Sequence, residues 1–360
     1  MYYILGILAL GIMILVHEFG HFIMMKLFNV KVEAFNIGFG PNIITHKGKE
    51  TDYNIALLPV GGFVLPLSKD DEEGKPKELT EEEEERCIEA QSSLKKILIY
   101  IAGPMMNIIL AIILFSTVFM YRGFATIEIA SITDDGAAHE IGMEVGDKIL
   151  SINGDKVFTT DDISIEVNYS KGKPMDIRYE KANGEIIEKT ITPKYAIPNE
   201  NKDGYVYGED TGENKGQYLI GIGFKPNVNP TFTEAAKHSA GQIGTLVTKN
   251  ISLLTQGKVN FKTDVGGPVS IVQISSSAAK SGLISLLYMV GILSVSLGVC
   301  NMIPIPMLDG GRCLIAFIEM VARRKVPKKV INVLNTISFV ILFALMIIVT
   351  IKDILFPMAL

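Results

Sequence analysis

The sequence predicts a polytopic α-helical membrane protein with four transmembrane helices and a β-rich soluble insert between the second and third. Three observations carry this expectation. Hydrophobic residues make up 48% of the 360-residue chain and charged residues 20%, against about 25% charged in soluble domains; the mean hydropathy is +0.32. The apolar residues gather into four runs, at 2–28, 97–121, 283–303 and 330–351, each near the roughly 20 residues needed to cross a bilayer. Between the second and third runs, residues 122–282 have ordinary polar composition.

Taken in order, residues 1–28 read as transmembrane helix 1. The run lacks a basic n-region and an A-x-A site, and His17, Glu18, His21 and Lys26 interrupt it, so it reads as a span rather than a signal peptide. Residues 29–96 form a second region, with strand-like patches broken by glycine and proline, then a dense acidic run at 70–89 that reads as a solvated helix or loop. Helix 2 is expected at 97–121. Residues 122–197 show short β-type segments with turn signals at Asn153-Gly154 and Asn183-Gly184. In 198–282 a loop at 198–216 precedes an amphipathic helix at 231–254. Helix 3 and the segment after it occupy 283–322, and helix 4 occupies 330–355. Arg323, Arg324, Lys325, Lys328 and Lys329 crowd the short link between the last two. The positive-inside rule puts that link in the cytoplasm, and both termini and the large insert outside it.

Several function classes drop out. Three cysteines without a CxxC give neither a disulfide framework nor a thiolate zinc site. A net charge of −5 argues against nucleic acid as a partner. His46, His139 and His238 fall in polar surroundings and read as surface residues.

His17-Glu18-Phe19-Gly20-His21 is an HExxH motif. Histidines at i and i+4 share one helical face, so both imidazoles can hold one zinc while the glutamate activates its water. Random order gives on the order of 0.005 such motifs in a chain of this composition, and ionisable groups within a span are functional by default. Zinc needs a third protein ligand. Asp309, Glu319 and Asp353 are the acids embedded in apolar sequence. Spans one and three run in the same direction, so the segment after Asn301 lies at the depth of His17. There Pro304 and Pro306 break the helix, and irregular backbone at that depth must line a cavity or be buried in protein. Asp309 is thus the expected third ligand, with Glu319 at the cytoplasmic headgroups and Asp353 at the outer end of span four.

HEFGH in the first span with NMIPIPMLDGG at 301–311 resembles the site-2 protease family of intramembrane zinc metalloproteases, most closely its bacterial regulated-intramembrane-proteolysis branch. GFGP at 38–41 and ALLPVGGFV at 56–64 resemble that branch's membrane-associated β-hairpins. AGPMMN at 102–107 resembles its second-span motif, and GGPVSI at 266–271 the segment entering its third span. Residues 142–154 resemble a circularly permuted PDZ domain. The resemblance implies a fold with membrane-associated β-hairpins and an extracytoplasmic PDZ domain on the four-helix core. It implies His17, His21 and Asp309 as ligands of Zn2+, Glu18 as general base, Asn301 near the scissile carbonyl and Asn107 beside the site. Gly61, Gly62, Pro304 and Pro306 complete the candidate substrate-binding set.

The expected function is zinc-dependent cleavage of transmembrane segments in single-span proteins, anti-sigma factors or signal-peptide remnants, after a prior extracytoplasmic cut. The expected partners are those substrates, a peptide or new C-terminus at the PDZ domain, and the lipid bilayer of a bacterial inner membrane. An HExxH peptidase acting on soluble or loop segments, and a non-catalytic PDZ scaffold, are the alternatives.

Overall fold

The structure, a computed structural model, describes residues 2–70, 75–198, 205–210, 216–256 and 266–355. Most of the loop expected at 198–216, and residues 71–74 of the acidic run, lie outside them. The chain order opens with α1 (Tyr2–Leu27), β1 (Val32–Lys47), β2 (Asp52–Pro66), α2 (Glu81–Glu85) and α3 (Ser93–Arg122). Next come β3 (Phe124–Ile132), α4 (Ala137–Glu140), β4 (Lys148–Ile152), β5 (Asp155–Lys156), α5 (Thr160–Ser170), β6 (Met175–Glu180) and β7 (Ile186–Ile191). These are followed by β8 (Lys194–Pro198), β9 (Tyr205–Tyr207), β10 (Gln217–Leu219) and β11 (Ile222–Asn227). The last elements are α6 (Phe232–Gln256), α7 (Pro268–Lys280), α8 (Leu283–Asn301), α9 (Asp309–Ala322) and α10 (Lys328–Leu355). Two compact units emerge, Met1–Phe115 with Lys249–Leu360, and Ser116–Thr248.

In the first unit, α1, α3, α8 and α10 are the four helices among the described residues long and apolar enough to cross a membrane. Ala9 and Met13 of α1 pack on Ala279 of α7 and on Leu286 and Val290 of α8, with Leu110 and Leu114 of α3 against the same cluster. The segment at 266–271 does not lead straight into the third span. Pro268 starts a separate helix, α7, as proline does at a first helical turn, and Gly282, at φ +112°, breaks the chain before α8. Asp353 stands near the C-terminal end of α10. It is fully buried, and its Oδ2 accepts the backbone N–H groups of Gly267 at 3.0 Å and Ser270 at 2.9 Å. A carboxylate on α10 thus caps the start of α7, where helix N–H groups lack partners.

β1 and β2 form one folded-over sheet that contains an antiparallel hairpin around residues 48–51. Residues 34–37 pair with 62–65 on one side and 52–55 on the other, and residues 42–47 pair with 52–56. Residues 62–66 therefore form an edge. Val32 is buried with Met25 and Ile99, while Phe39, Ile43, Ile44, Leu57 and Leu58 are exposed, an apolar rim suited to lipid. The turn of this sheet is tied down by charge: Lys26 donates to Glu50 at 2.9 Å and to Thr51 at 2.8 Å, and Arg86 also pairs with Glu50.

In the second unit the sheet order is β11-β3-β4-β6-β7, with β5 on β4, beside a three-stranded sheet β10-β8-β9. Asn153 and Gly154 both have positive φ, 51° and 87°, the conformation of the tight hairpin turn that Asn-Gly favours. Ile149, Ile152, Ile177, Tyr179 and Ile191 of the strands and Ile163 and Val167 of α5 share one buried core. β11 joins the sheet from beyond residue 197, because Ile222 and Phe224 pack on that core. Thr231 and Glu234 cap the start of α6 reciprocally. His238 is not a free surface residue: its ring stacks on Phe124 at 4.0 Å and meets Phe119 edge-on at 4.6 Å. Burial lowers its pKa from the ordinary histidine value.

Candidate active site

α1 is unbroken through His17 and His21, so the two imidazoles stand one turn apart on one face. Their Nε2 atoms are 3.2 Å apart. Oδ2 of Asp309 lies 3.0 Å from Nε2 of His17 and 3.3 Å from Nε2 of His21. The histidines are 5% and 6% exposed, so water does little to relieve whatever these three atoms do to one another.

The far ring nitrogens decide what that is. Nδ1 of His21 donates to the Ile99 carbonyl at 2.8 Å. Nδ1 of His17 lies 3.1 Å from the Asn107 side-chain amide. Asn107 is wholly buried, and its Oδ1 is otherwise partnerless. Amide oxygen and nitrogen are assigned by their partners, and an oxygen facing the ring accepts Nδ1–H and satisfies both groups. Each Nε2 then carries a lone pair. Three electron-rich atoms at 3.0–3.3 Å repel unless a cation lies among them. Two imidazoles and one carboxylate, with the outer ring nitrogens anchored, are the residue types that could hold zinc.

The neighbouring sequence makes this convergence possible. A methyl at Gly20 would sit 2.4 Å from the Ala102 carbonyl oxygen, and one at Gly103 would sit 2.3 Å from Nε2 of His21 and 2.8 Å from Nε2 of His17. Glycine at both positions lets α3 lie directly against the histidines. Pro104, inside α3, cannot donate to the Tyr100 carbonyl four residues back, next to Ile99, whose carbonyl holds His21. Ser294 of α8 donates to the Asn107 carbonyl at 2.9 Å. After Asn301 the chain turns tightly, with Leu308 N–H donating to the Ile305 carbonyl at 2.8 Å. Methyls at Gly310 and Gly311 would lie 2.2 Å and 2.0 Å from the carbonyl oxygens of Met302 and Ile305. Both glycines are needed for the turn that delivers Asp309 to the first position of α9.

These groups face a cavity of about 860 Å³. His17, Glu18, His21, Asn301, Pro306 and Asp309 line it, together with the edge residues Phe63, Val64, Leu65 and Pro66. The Val64 backbone hydrogen-bonds the Glu18 carboxylate. Asn107 stands behind His17. Gly61, Gly62 and Pro304 are not among the lining residues: Gly62 pairs with Ile37, and Gly61, at φ +93°, turns the strand over the Phe39 ring. Glu319 also differs from expectation. It lines the cavity and pairs with Lys96 at 3.6 Å, while accepting Val326 N–H at 3.0 Å. Gly103, Lys96 and Arg312 were missed by sequence reasoning; of these, only Gly103 lay within a motif singled out beforehand, AGPMMN.

Two histidines one turn apart on a helix long and apolar enough to cross a membrane, with Asp309 of α9 against them, suit a membrane-type metallopeptidase. Comparison with known proteins gives the family. The model for Peptidase family M50 matches residues 5–345. A protein named as a zinc metalloprotease in Clostridium perfringens is 39% identical over 360 residues, covering 99% of both chains. One so named in Clostridium acetobutylicum is 38% identical over 357 residues, covering 98% of this chain and 97% of the relative. The Regulator of sigma-W protease RasP of Bacillus subtilis is 28% identical over 424 residues, covering 97% of each. A solved PDZ domain of an SdrC-like protein from Listeria monocytogenes matches 28% of this chain and 88% of its own, at 17% identity and a TM-score of 0.21, too low to bear on the fold. The chain belongs to peptidase family M50, the site-2 protease family, and is a metalloendopeptidase.

Proposed function

We propose that this metalloendopeptidase is zinc-dependent and cuts transmembrane segments of single-span membrane proteins after an earlier extracytoplasmic cut. The observation that carries the reading is the meeting of His17, His21 and Asp309 at 3.0–3.3 Å on the wall of a cavity built from spanning-type helices. Zinc held by these three residues would supply Lewis acidity to a water and to a peptide carbonyl. Glu18, kept in place by the Val64 backbone, takes a proton from the attacking water and returns it to the leaving amine. Asn301 donates to the carbonyl oxygen as it gains charge. Asn107 holds the His17 ring from behind.

A peptide bond inside a helix is shielded, so the substrate must be extended before attack. The free edge at 62–66, lining the cavity, suits antiparallel pairing with such a segment, with Gly61 and Gly62 shaping the strand and Pro304 and Pro306 the opposite turn. The basic link between α9 and α10 is assigned to the cytoplasm, which places residues 122–197 and β11 outside as a PDZ domain that holds a peptide or new terminus. RasP is named for regulation of sigma-W; carried to this chain, that name favours anti-sigma factors, with signal-peptide remnants as the second substrate class. Glu18→Gln is expected to keep zinc and lose about 10²–10⁴-fold in cleavage of a single-span reporter. Cleavage by that variant at the wild-type rate, or a wild type that cuts only soluble peptides, overturns the reading.

A further inference from the structure

Arg312 lies one turn beyond Asp309 on α9, exposed on the wall of the same cavity. Its guanidinium carbon is 5.9 Å from the centre of the Tyr100 ring, and Tyr100 follows Ile99, the residue whose carbonyl holds His21. The cation thus shares one cavity with His17, His21 and Asp309.

The other charges of the cavity are engaged. Asp309 faces the two histidines. Glu319 is paired with Lys96 and with the Val326 N–H. Glu89 accepts the Ser68 hydroxyl at 2.6 Å and the Lys69 N–H at 3.4 Å. Glu18 receives the Val64 backbone. Among the described residues, no carboxylate pairs with Arg312, and Tyr100 offers its guanidinium only a π face. A guanidinium presents five donors in a fork that fits a carboxylate, and one on the wall of this cavity without an anion of its own is placed to receive an anion that arrives.

We propose that Arg312 binds a carboxylate of the substrate chain, namely the new C-terminus that each turnover creates. Hydrolysis breaks the peptide C–N bond and forms a C–O bond to water oxygen. One water proton goes to the amine, and the carboxyl group gives up its proton at neutral pH. That anion forms beside His17, His21 and Asp309, within the cavity that Arg312 lines, whereas an acidic side chain is not required by the reaction. This inference rests on the peptidase reading but not on cleavage inside the membrane.

The test is inhibition of the purified full-length enzyme by three synthetic peptides of one sequence. The first ends in a free carboxylate, the second in a carboxamide, and the third in a carboxamide with glutamate as its penultimate residue. Wild type is expected to bind the free carboxylate at least about tenfold more tightly than the carboxamide. Arg312→Gln should bring that ratio close to one, and Arg312→Lys, which keeps the charge without the fork, should fall between. Zinc per chain should be equal in all three proteins, which separates lost binding from a lost site; if Arg312→Gln fails to fold, Arg312→Lys alone must show a reduced ratio. An unchanged ratio in either folded variant overturns the proposal. Selective binding of the glutamate-bearing carboxamide, abolished by Arg312→Gln, overturns the terminal assignment in favour of a side-chain carboxylate. A wild type that cuts soluble peptides alone removes the intramembrane reading while the ratio still tests Arg312.

Discussion

The two units of the molecule bury different things. In residues 116–248 the interior is isoleucine, valine, methionine and one tyrosine on strands and a short helix, as in a soluble domain held together by removal of apolar surface from water. Around the histidines the interior is glycine, histidine, asparagine, serine and a carboxylate. Helices in lipid gain little from apolar burial against one another, so small residues and polar contacts bring them together. The sensitivities of the two regions should therefore be opposite: adding a methyl harms the helical site, and removing methyls harms the β-rich unit.

Gly103→Ala tests the first half and carries the largest effect. Its methyl would press within 2.3 Å of Nε2 of His21, and a displacement near 1 Å at a reacting centre costs on the order of 100-fold. Reporter cleavage should fall by about that factor with the melting temperature little changed; cleavage within threefold of wild type would remove Gly103 from the site. Ile177→Ala tests the second half. Ile177 is fully buried, and such a truncation costs about 2–5 kcal/mol, read as an earlier melt of the β-rich unit. Zinc per chain should not change, and a parallel loss of zinc would show that the two regions are energetically one.

The smallest effect belongs to the periphery of the helical unit. Burial pushes the Glu50 carboxyl up, but hydrogen bonds and charge from Lys26 and Arg86 more than reverse this and hold it below its ordinary value of 4.5. A carboxyl lowered on folding stabilises the fold in full above its ordinary value and loses that contribution as pH falls through the native value. The protection factors of the amides at residues 48–51, which are exchange rates corrected for their intrinsic pH dependence, should therefore fall as the pH drops below 4.5. Glu50→Gln should be weakly protected already at pH 7, and a flat protection profile in wild type would contradict the role given to this cluster.

Much of this was legible in the sequence, for reasons that differ by residue. Helical spacing alone puts His17 and His21 on one face, and span direction puts the turn after Asn301 at their depth. Gly103 and Arg312 escape such reasoning because their importance depends on which helix lies across from them, a relation between segments that periodicity does not encode. For Asp353 and Glu319 a place in an apolar run gives a position along a helix but not a partner: the start of α7 takes one, Lys96 and the Val326 N–H the other. β11 was missed because the short strand follows a stretch rich in Gly, Asn and Lys, and its pairing with β3 is nearly 100 residues distant in sequence.

The central claim is that His17, His21 and Asp309 together hold one zinc on which peptide cleavage depends. Zinc per chain in Asp309→Ala, measured by elemental analysis beside wild type at equal protein concentration, tests it most directly. The expected result is about one zinc in wild type and far less in the variant. A folded variant that retains one zinc would contradict the claim and place the third ligand elsewhere.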